Sequence, residues 1–455
     1  VNVTILGTGY VGLTTGVCLA YLGHKVTCAD PVASKIAMLE DGSVPFHEPF
    51  LADLLAEARC NLKFTTEYAH AIPGAQVIFI AVGTPPSPSG APDLKYLQAA
   101  ARGIGEHIDA NFTVVVNKST VPIGSGNWVG SLVRETFEKR NGKKPRTVFA
   151  VASNPEFLRE GSAIHDTLYP DRVVIGADEE QTAEVLYTLY RPILDQTFQP
   201  PTFLPRPEEL GAVPLISTDL ASAELIKYAA NAFLALKISY INEIGLLSEK
   251  VGADISQVAK GIGLDARIGT RFLQSGIGWG GSCFGKDTAA LVATAREYGL
   301  DMQIVQSARD VNRRQRERVI EKLLGELRIL KGRTIGLLGL AFKPHTDDLR
   351  EAPAIDIAQK LLERGARVKA HDPVAMESFK KHNPDLAEVV CCDSPEDVIR
   401  DCDAVVLVTE WPQYRELDWE PLAKSMRTPL ILDGRLALDR ARLSRAGFRY
   451  LGMAC

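Results

Sequence analysis

The chain has no Cys-x-x-Cys pair, and none of its eight cysteines stands at a Cys/His spacing that would hold zinc. That excludes a zinc ribbon and a dithiol redox motif, and no metal is expected. Cys391 and Cys392 are adjacent, a poor arrangement for an ordinary disulfide. With Cys18, Cys28, Cys60 and Cys402 they read as structural thiols in a reducing compartment. Positive charge is not in excess: a formal net charge of -5 gives no footing for nucleic acid or another polyanion. The basic run Arg313-Arg314-Gln315-Arg316-Glu317-Arg318 reads as a solvated helix face. Long apolar runs are also missing. Gly7, Gly9, Gly12 and Gly16 interrupt the apolar N-terminus and no basic segment precedes it, so neither a signal peptide nor a membrane span is expected. The expected location is cytoplasmic.

What is present is a soluble globular composition, 46% hydrophobic and 24% charged, in 455 residues, too many for one core. Glycine is concentrated in Gly276-Ile277-Gly278-Trp279-Gly280-Gly281-Ser282-Cys283-Phe284-Gly285, where five of ten residues are glycine. Such a stretch suits a sharp turn or a close approach to a ligand. Residues 287–298 read as a helix that Gly299 stops, so Cys283 sits between a flexible loop and a helix N-terminus. The helix dipole, with Lys286 nearby, would favour a thiolate there. The alternative is a buried cysteine acting as a small hydrophobe. Glycines that open the backbone around it argue against burial.

At the chain start, a strand at 3–6 runs into Gly7-Thr8-Gly9-Tyr10-Val11-Gly12 and a helix continues to about residue 22. A second strand at 25–29 ends on Asp30. This is a dinucleotide fingerprint in its required context. The glycines admit a pyrophosphate at the helix N-terminus, and Asp30 suits a ribose diol while repelling a 2′-phosphate, so NAD is expected over NADP. Further strands are read at 76–82, 113–116, 147–151 and 172–175, as a parallel sheet covered on both faces. Past their ends lie Gly83-Thr84-Pro85, Lys118-Ser119-Thr120-Val121-Pro122 and Asn154-Pro155-Glu156-Phe157-Leu158-Arg159-Glu160-Gly161, where function collects in such sheets. Residues 141–145 and 199–214 read as solvent loops.

From 219 to 251 apolar residues recur at helical spacing, with Thr218 as the N-cap and Gly252 beyond the end, a spine of roughly 50 Å. Lys227 and Asn231 share one face of it. A surface lysine is the plain alternative for Lys227. After it, residues 333–340 and 365–373 repeat the opening strand and residues 23–31, and strands at 404–408 and 430–432 complete a second sheet. There the glycine loop is replaced by residues 341–350, with cations at the strand end, so a different phosphorylated ligand is expected. Arg435 is a second phosphate candidate, or a surface arginine. The fold expected is α/β, two Rossmann-like doubly wound domains joined by a long central helix and a helical middle domain, divided as 1–214, 215–318 and 319–455.

With Lys227-Tyr228-Ala229-Ala230-Asn231, Gly280-Gly281-Ser282-Cys283-Phe284-Gly285-Lys286-Asp287 and Phe342-Lys343 added to the motifs above, the chain resembles the nucleotide-sugar dehydrogenases over essentially its whole length. The resemblance implies four-electron oxidation of a sugar C6 alcohol to a carboxylate, with two NAD used in turn. It makes Cys283 the nucleophile of a thiohemiacetal and thioester. Asp287 and Lys227 would manage the proton and oxyanion, Thr120 and Asn231 would place a water, and Glu156 would assist hydrolysis. For the cofactor it implies Gly7, Gly9, Tyr10, Val11, Gly12, Asp30, Lys35, Thr84, Ser119, Glu160 and Arg350. For the substrate it implies Phe157, Leu158, Phe272, Gly280, Phe284, Lys343 and Arg435, with Arg267 reaching across a subunit interface in a homodimer. Phe284-Gly285-Lys286 is more like the UDP-glucose enzymes of the family than those for GDP-mannose or UDP-N-acetylmannosamine, so UDP-glucose is the expected substrate and the others are alternatives. A two-electron hydroxy-acid dehydrogenase would leave Cys283 and its glycines unexplained, and a non-catalytic NAD-sensing scaffold would not keep the site residues together.

Overall fold

A computed structural model describes residues 1–85, 87, 91–109, 111–142 and 149–454. The expected loop at 141–145 and the start of the strand expected at 147–151 fall partly outside these residues. The chain divides into two compact units, Val1–Ala230 with Ala289–Gly299, and Asn231–Thr288 with Leu300–Cys455.

Among the described residues the first unit is built on eight strands: β1 (Asn2–Leu6), β2 (Lys25–Ala29), β3 (Leu62–Thr65), β4 (Val77–Ile80), β5 (Thr113–Asn117), β6 (Phe149–Ser153), β7 (Val173–Ala177) and β8 (Leu215–Thr218). They lie in the order β3-β2-β1-β4-β5-β6-β7-β8. The order reverses beside β1, which pairs in parallel with both β2 and β4, and this is where open sheets of this kind bind ligands. β1, β4 and β5 are buried on both faces. One face packs on Leu13, Val17 and Leu54, the other on Leu97, Ile104 and Val133. One pairing departs from the parallel expectation: β6 and β7 are antiparallel. The chain between them is mostly loop with the short helix Ala163–Leu168, instead of a crossover helix that would return it to the same end. Residues 199–214 are not simply a solvent loop. Phe203, Leu204 and Leu210 pack on the first core, and Phe203 stacks on Phe50 with ring centroids 5.4 Å apart.

The second unit holds a six-stranded parallel sheet: β9 (Thr334–Leu338), β10 (Arg367–His371), β11 (Val390–Cys391), β12 (Ala404–Leu407), β13 (Leu430–Asp433) and β14 (Arg449–Gly452), in the order β11-β10-β9-β12-β13-β14. The repeat seen in the sequence holds at the level of single bonds. Gly7 N–H donates to Ala29 O at 2.8 Å, and Gly339 N–H donates to His371 O at 2.8 Å. Both glycines have positive φ, +100° and +95°, a conformation that bars most other residues.

The long helix runs Leu220–Val251, 32 residues, and Gly252 ends it at φ +75°. Asp219, not Thr218, caps it, because its carboxylate accepts from Ser222 N–H at 2.8 Å. Lys227 and Asn231 stand one turn apart on this helix, Lys227 in the first unit and Asn231 in the second. No helix of the described residues is long and apolar enough to cross a membrane.

Candidate active site

At the end of β1 the three fingerprint glycines differ in what surrounds them. A Cβ on Gly7 would lie 2.7 Å from Ala81 O, and one on Gly12 would lie 2.0 Å from Gly7 O. These two keep the turn and helix tight. A Cβ on Gly9 would meet nothing within 4 Å, so the backbone there is open to an approaching pyrophosphate. Gly9 also precedes the helix Tyr10–Tyr21, whose first N–H groups favour an anion. The residues fit a dinucleotide. Tyr10 uses its hydroxyl within the protein, donating to Glu48, so only its backbone is left to face a phosphate. Gly161 N–H also bonds to Tyr10 Oη and Glu48, which ties the turn to the end of the loop that carries Glu160.

Asp30 Oδ2 accepts from Thr8 N–H at 2.9 Å and the Thr8 hydroxyl at 2.8 Å, and pairs with Lys35 at 3.5 Å; among the described residues Oδ1 accepts only from Val32 N–H at 3.0 Å. Burial pushes this carboxyl up, but the Thr8 and Val32 N–H groups, the Thr8 hydroxyl and Lys35 outweigh it and hold it below the usual range. Asp372, its counterpart in the second sheet, is occupied on both oxygens. Leu340 N–H, Ala341 N–H and Trp411 Nε1–H reach Oδ2, while Val374 N–H and Ala375 N–H reach Oδ1. The acid closes its turn in both sheets, with one donor on Oδ1 in Asp30 and two in Asp372 among the described residues.

Further along the first sheet, the Thr84 hydroxyl donates to Thr120 O at 2.9 Å and the Ser119 hydroxyl to Val82 O at 2.7 Å. The turns after β4 and β5 are thus fastened together. Glu156 and Lys227 are both buried and form an ion pair at 2.8 Å. Phe157 beside them lies under the Arg172 guanidinium, 3.7 Å from its ring centroid, with Lys227 Nζ at 5.4 Å. Leu158 is half-buried in the same loop.

In the second unit, the glycine-rich loop is buried, contrary to the open backbone expected of it. A Cβ on Gly276 would meet Gly434 O at 2.7 Å, on Gly280 Glu351 O at 2.5 Å, and on Gly281 the Phe342 ring at 2.7 Å. These glycines let protein backbone approach, more than ligand. A buried segment without helix or strand must find partners for its peptide groups. Side chains supply most of them. Asn242 accepts from Gly276 N–H at 2.8 Å, Gln315 donates to Gly276 O at 3.1 Å, and Arg435 donates to Gly278 O at 2.9 Å. Asn312 takes Trp279 N–H at 2.7 Å and returns a bond to Trp279 O at 2.9 Å, where Arg316 also donates at 3.2 Å. The Arg313–Arg318 run is therefore only partly a solvated face, since Arg316 and Arg318 turn inward to Trp279 and Glu249. Asn312, Gln315 and Arg316 were not singled out from the sequence; an amide pair on one face of an otherwise charged helix was the available signal.

Cys283 is half-buried, and its carbonyl accepts from Asp287 N–H at 2.8 Å. It therefore stands immediately before the helix Phe284–Glu297, where the N–H groups of the first turn favour a negative sulfur. Asp287, fully buried, accepts from Asn231 at 2.6 Å and pairs with Lys286 at 2.8 Å. Lys286 thus serves the carboxylate one turn after the thiol.

The other residues carried over for the substrate all lie in this unit. Phe284 packs edge-on to Phe272 and Trp279, at 6.3 and 6.0 Å. Arg435, with Gln274, Ser275 and Glu410, lines a cavity of about 230 Å³, while its Nε donates to Val408 O at 2.7 Å. Lys343 is half-buried, 5.4 Å above the Phe342 ring. Arg267 is 89% exposed and pairs with Asp265; Arg350, also exposed, pairs with Asp348.

A glycine turn open at one point for a pyrophosphate, and a thiol at a helix N-terminus, define an NAD-dependent oxidoreductase. Comparison with known proteins carries this further. Sequence profiles of the UDP-glucose/GDP-mannose dehydrogenase family match residues 1–194 (NAD binding domain), 221–314 (central domain) and 336–440 (UDP binding domain). UDP-glucose 6-dehydrogenase TuaD of Bacillus subtilis is 44% identical over 451 residues, spanning 99% of this chain and 92% of that protein. The solved UDP-glucose dehydrogenase of Pyrobaculum islandicum superposes with a TM-score of 0.88 at 39% identity, covering 100% of this chain and 97% of that one. A UDP-D-ManNAc dehydrogenase from Pyrococcus horikoshii has a TM-score of 0.83 at 27% identity, covering 100% and 99%. The chain belongs to the UDP-glucose/GDP-mannose dehydrogenase family.

Two outcomes follow from this geometry. Asp30→Ala should narrow the kcat/KM preference for NAD over NADP by about 10–100-fold, the scale of a charged hydrogen bond; an unchanged ratio contradicts the role given to Asp30. Asn312→Ala leaves Trp279 N–H buried without its acceptor and should cost about 1–3 kcal/mol, read as a lower urea midpoint at constant slope. A midpoint equal to that of the unmutated protein would show that Asn312 does not hold the loop.

Proposed function

We propose that this protein oxidises the C6 alcohol of UDP-glucose to the carboxylate, in two two-electron steps, through a covalent bond to Cys283. The observation that carries this reading is the thiol set at a helix N-terminus one turn before a buried carboxylate. The relatives named UDP-glucose 6-dehydrogenase support the substrate. The sugar rests on Phe284-Gly285-Lys286, since the Pyrococcus enzyme named for another sugar shares the fold. In this reading, segments 1–214, 215–318 and 319–455 serve as NAD-binding, helical and UDP-sugar-binding domains.

NAD, when bound, supplies the hydride acceptor, once for each two-electron step. Gly7, Gly9, the backbone of Tyr10, Val11 and Gly12, and Asp30 would hold it, with Lys35, Thr84, Ser119, Glu160 and Arg350 around it. Asp287 takes the C6 alcohol proton as the aldehyde forms. The Cys283 thiolate then adds to the aldehyde carbon, because a planar aldehyde has no second hydride to give until it becomes tetrahedral. Lys227 stabilises the oxygen in each tetrahedral state. Loss of the second hydride leaves a thioester. Thr120 and Asn231 position a water, and Glu156 removes its proton as the oxygen adds to the thioester carbonyl. Glu156 Oε2 is buried with no hydrogen bond from the described chain, which suits an acceptor for that water. The C–S bond breaks, and thiolate and carboxylate result. Lys343 and Arg435 hold the diphosphate, while Phe157, Leu158, Phe272, Gly280 and Phe284 line the substrate.

We also propose a homodimer in which Arg267 reaches the partner's substrate. On the long helix Phe233, Tyr240 and Leu247, seven residues apart, are 61%, 51% and 60% exposed, an apolar stripe that a second copy would cover. Phe233→Glu with Leu247→Glu should halve the mass seen by light scattering; an unchanged mass places the interface elsewhere.

For the chemistry, Cys283→Ala should keep NAD and UDP-glucose binding and lose UDP-glucuronate formation. Cys283→Ser should stall and retain a sugar adduct on the protein, visible as added mass. A Cys283→Ala enzyme that still forms UDP-glucuronate at a near-normal rate contradicts the covalent route.

A further inference from the structure

Lys118, at the end of β5, is a buried lysine that the chemistry above does not use. Its ammonium donates to Asn154 Oδ1 at 2.8 Å and lies 3.5 Å from the Tyr190 hydroxyl. Tyr190, on the helix Glu180–Leu194, donates to the same Asn154 oxygen at 2.5 Å. The Asn154 amide donates in turn to Val174 O on β7 at 2.8 Å. Every polar atom of the Asn154 side chain is thereby fixed, two residues before Glu156, on a segment with no helix or strand to hold it. All these groups are buried, as are Glu156 and Lys227. A buried lysine is costly unless its charge is used.

We propose that Lys118 is a positioning residue for thioester hydrolysis: through Asn154 it sets the turn that carries Glu156, and its ammonium acts, with that of Lys227, on the Glu156 carboxyl group. The inference rests on the assignment of Glu156 to hydrolysis. Among the described residues, Lys118 interacts electrostatically with Glu156 and Lys227 and lies 3.5 Å from the Tyr190 hydroxyl. Burial pulls Lys118 down to about 8, Glu156 works against the fall and Lys227 adds to it, while burial pushes Tyr190 up, so it stays a neutral donor. The ammonium is therefore nearly complete only well below pH 8, is half lost at about that value and disappears above it, and hydrolysis should decline with it.

The test combines rapid kinetics with carbon-13 NMR of lysine Cε in the full enzyme. Lys118→Met should keep the first rapid phase of NADH formation yet lower steady-state turnover about tenfold or more, and should lose the alkaline fall near pH 8. A lysine signal titrating near pH 8, assigned by its absence in Lys118→Arg, should move to lower pH in Glu156→Gln, because the anion favouring the ammonium is gone. That coupling needs no Lys118→Met protein and reports whether the Glu156 carboxylate lies within electrostatic reach of Lys118, while the kept first phase and the lost alkaline fall separate positioning from a merely structural role. If Glu156→Gln slows hydrolysis while Lys118→Met turns over normally, or the signal stays in place, the proposal is overturned and the function stands. If Glu156→Gln hydrolyses normally, the assignment of Glu156 fails, and the role of Lys118 with it.

Discussion

The second unit depends on one constraint: a loop that is neither helix nor strand lies buried, and its peptide groups must bond to something. Asn242, Asn312, Gln315, Arg316 and Arg435 meet that need, from two helices and the end of β13. The glycines at 276, 280 and 281 are required because the loop presses against Gly434 O, Glu351 O and the Phe342 ring. A chain held so tightly delivers Cys283 to its helix N-terminus in one geometry. Catalysis that depends on a nucleophile meeting a carbon at bonding distance gains from that fixity.

The two sheets show how one local plan serves two ends. Each begins with a strand, a glycine at positive φ, and an acid after the second strand. In the first, one Asp30 oxygen has a single donor among the described residues, and a Cβ on Gly9 would meet nothing within 4 Å. In the second, five donors close around Asp372, and Trp411 is one of them. The difference around the acid is one donor on Oδ1 and the Trp411 indole on Oδ2.

The central strands were legible because they are continuous apolar runs, and the two turns because glycine and aspartate stand in register. The four strands that escaped notice, β3, β8, β11 and β14, are the four sheet edges. Edge strands are half-exposed and short, so they carry neither a full apolar run nor a clean alternation. Cys283, Asp287 and Asn231 were legible as a motif, and Asn231 and Asp287 are indeed bonded. The side chains that hold the loops of the two units were not. Asn312, Lys118 and Glu48 act through bonds to backbone or side chains 33 to 115 residues distant, which no local pattern records. The burial of the glycine loop is illegible for a related reason: glycine permits close approach, but its neighbours decide whether protein or ligand makes it.

The central claim is that both oxidations occur on one substrate without release of the aldehyde. It is tested most directly by counting products with an aldehyde trap present during turnover of UDP-glucose. The account predicts two NADH for each UDP-glucuronate and no trapped aldehyde. One NADH per UDP-glucose, with the C6 aldehyde recovered on the trap, would contradict it.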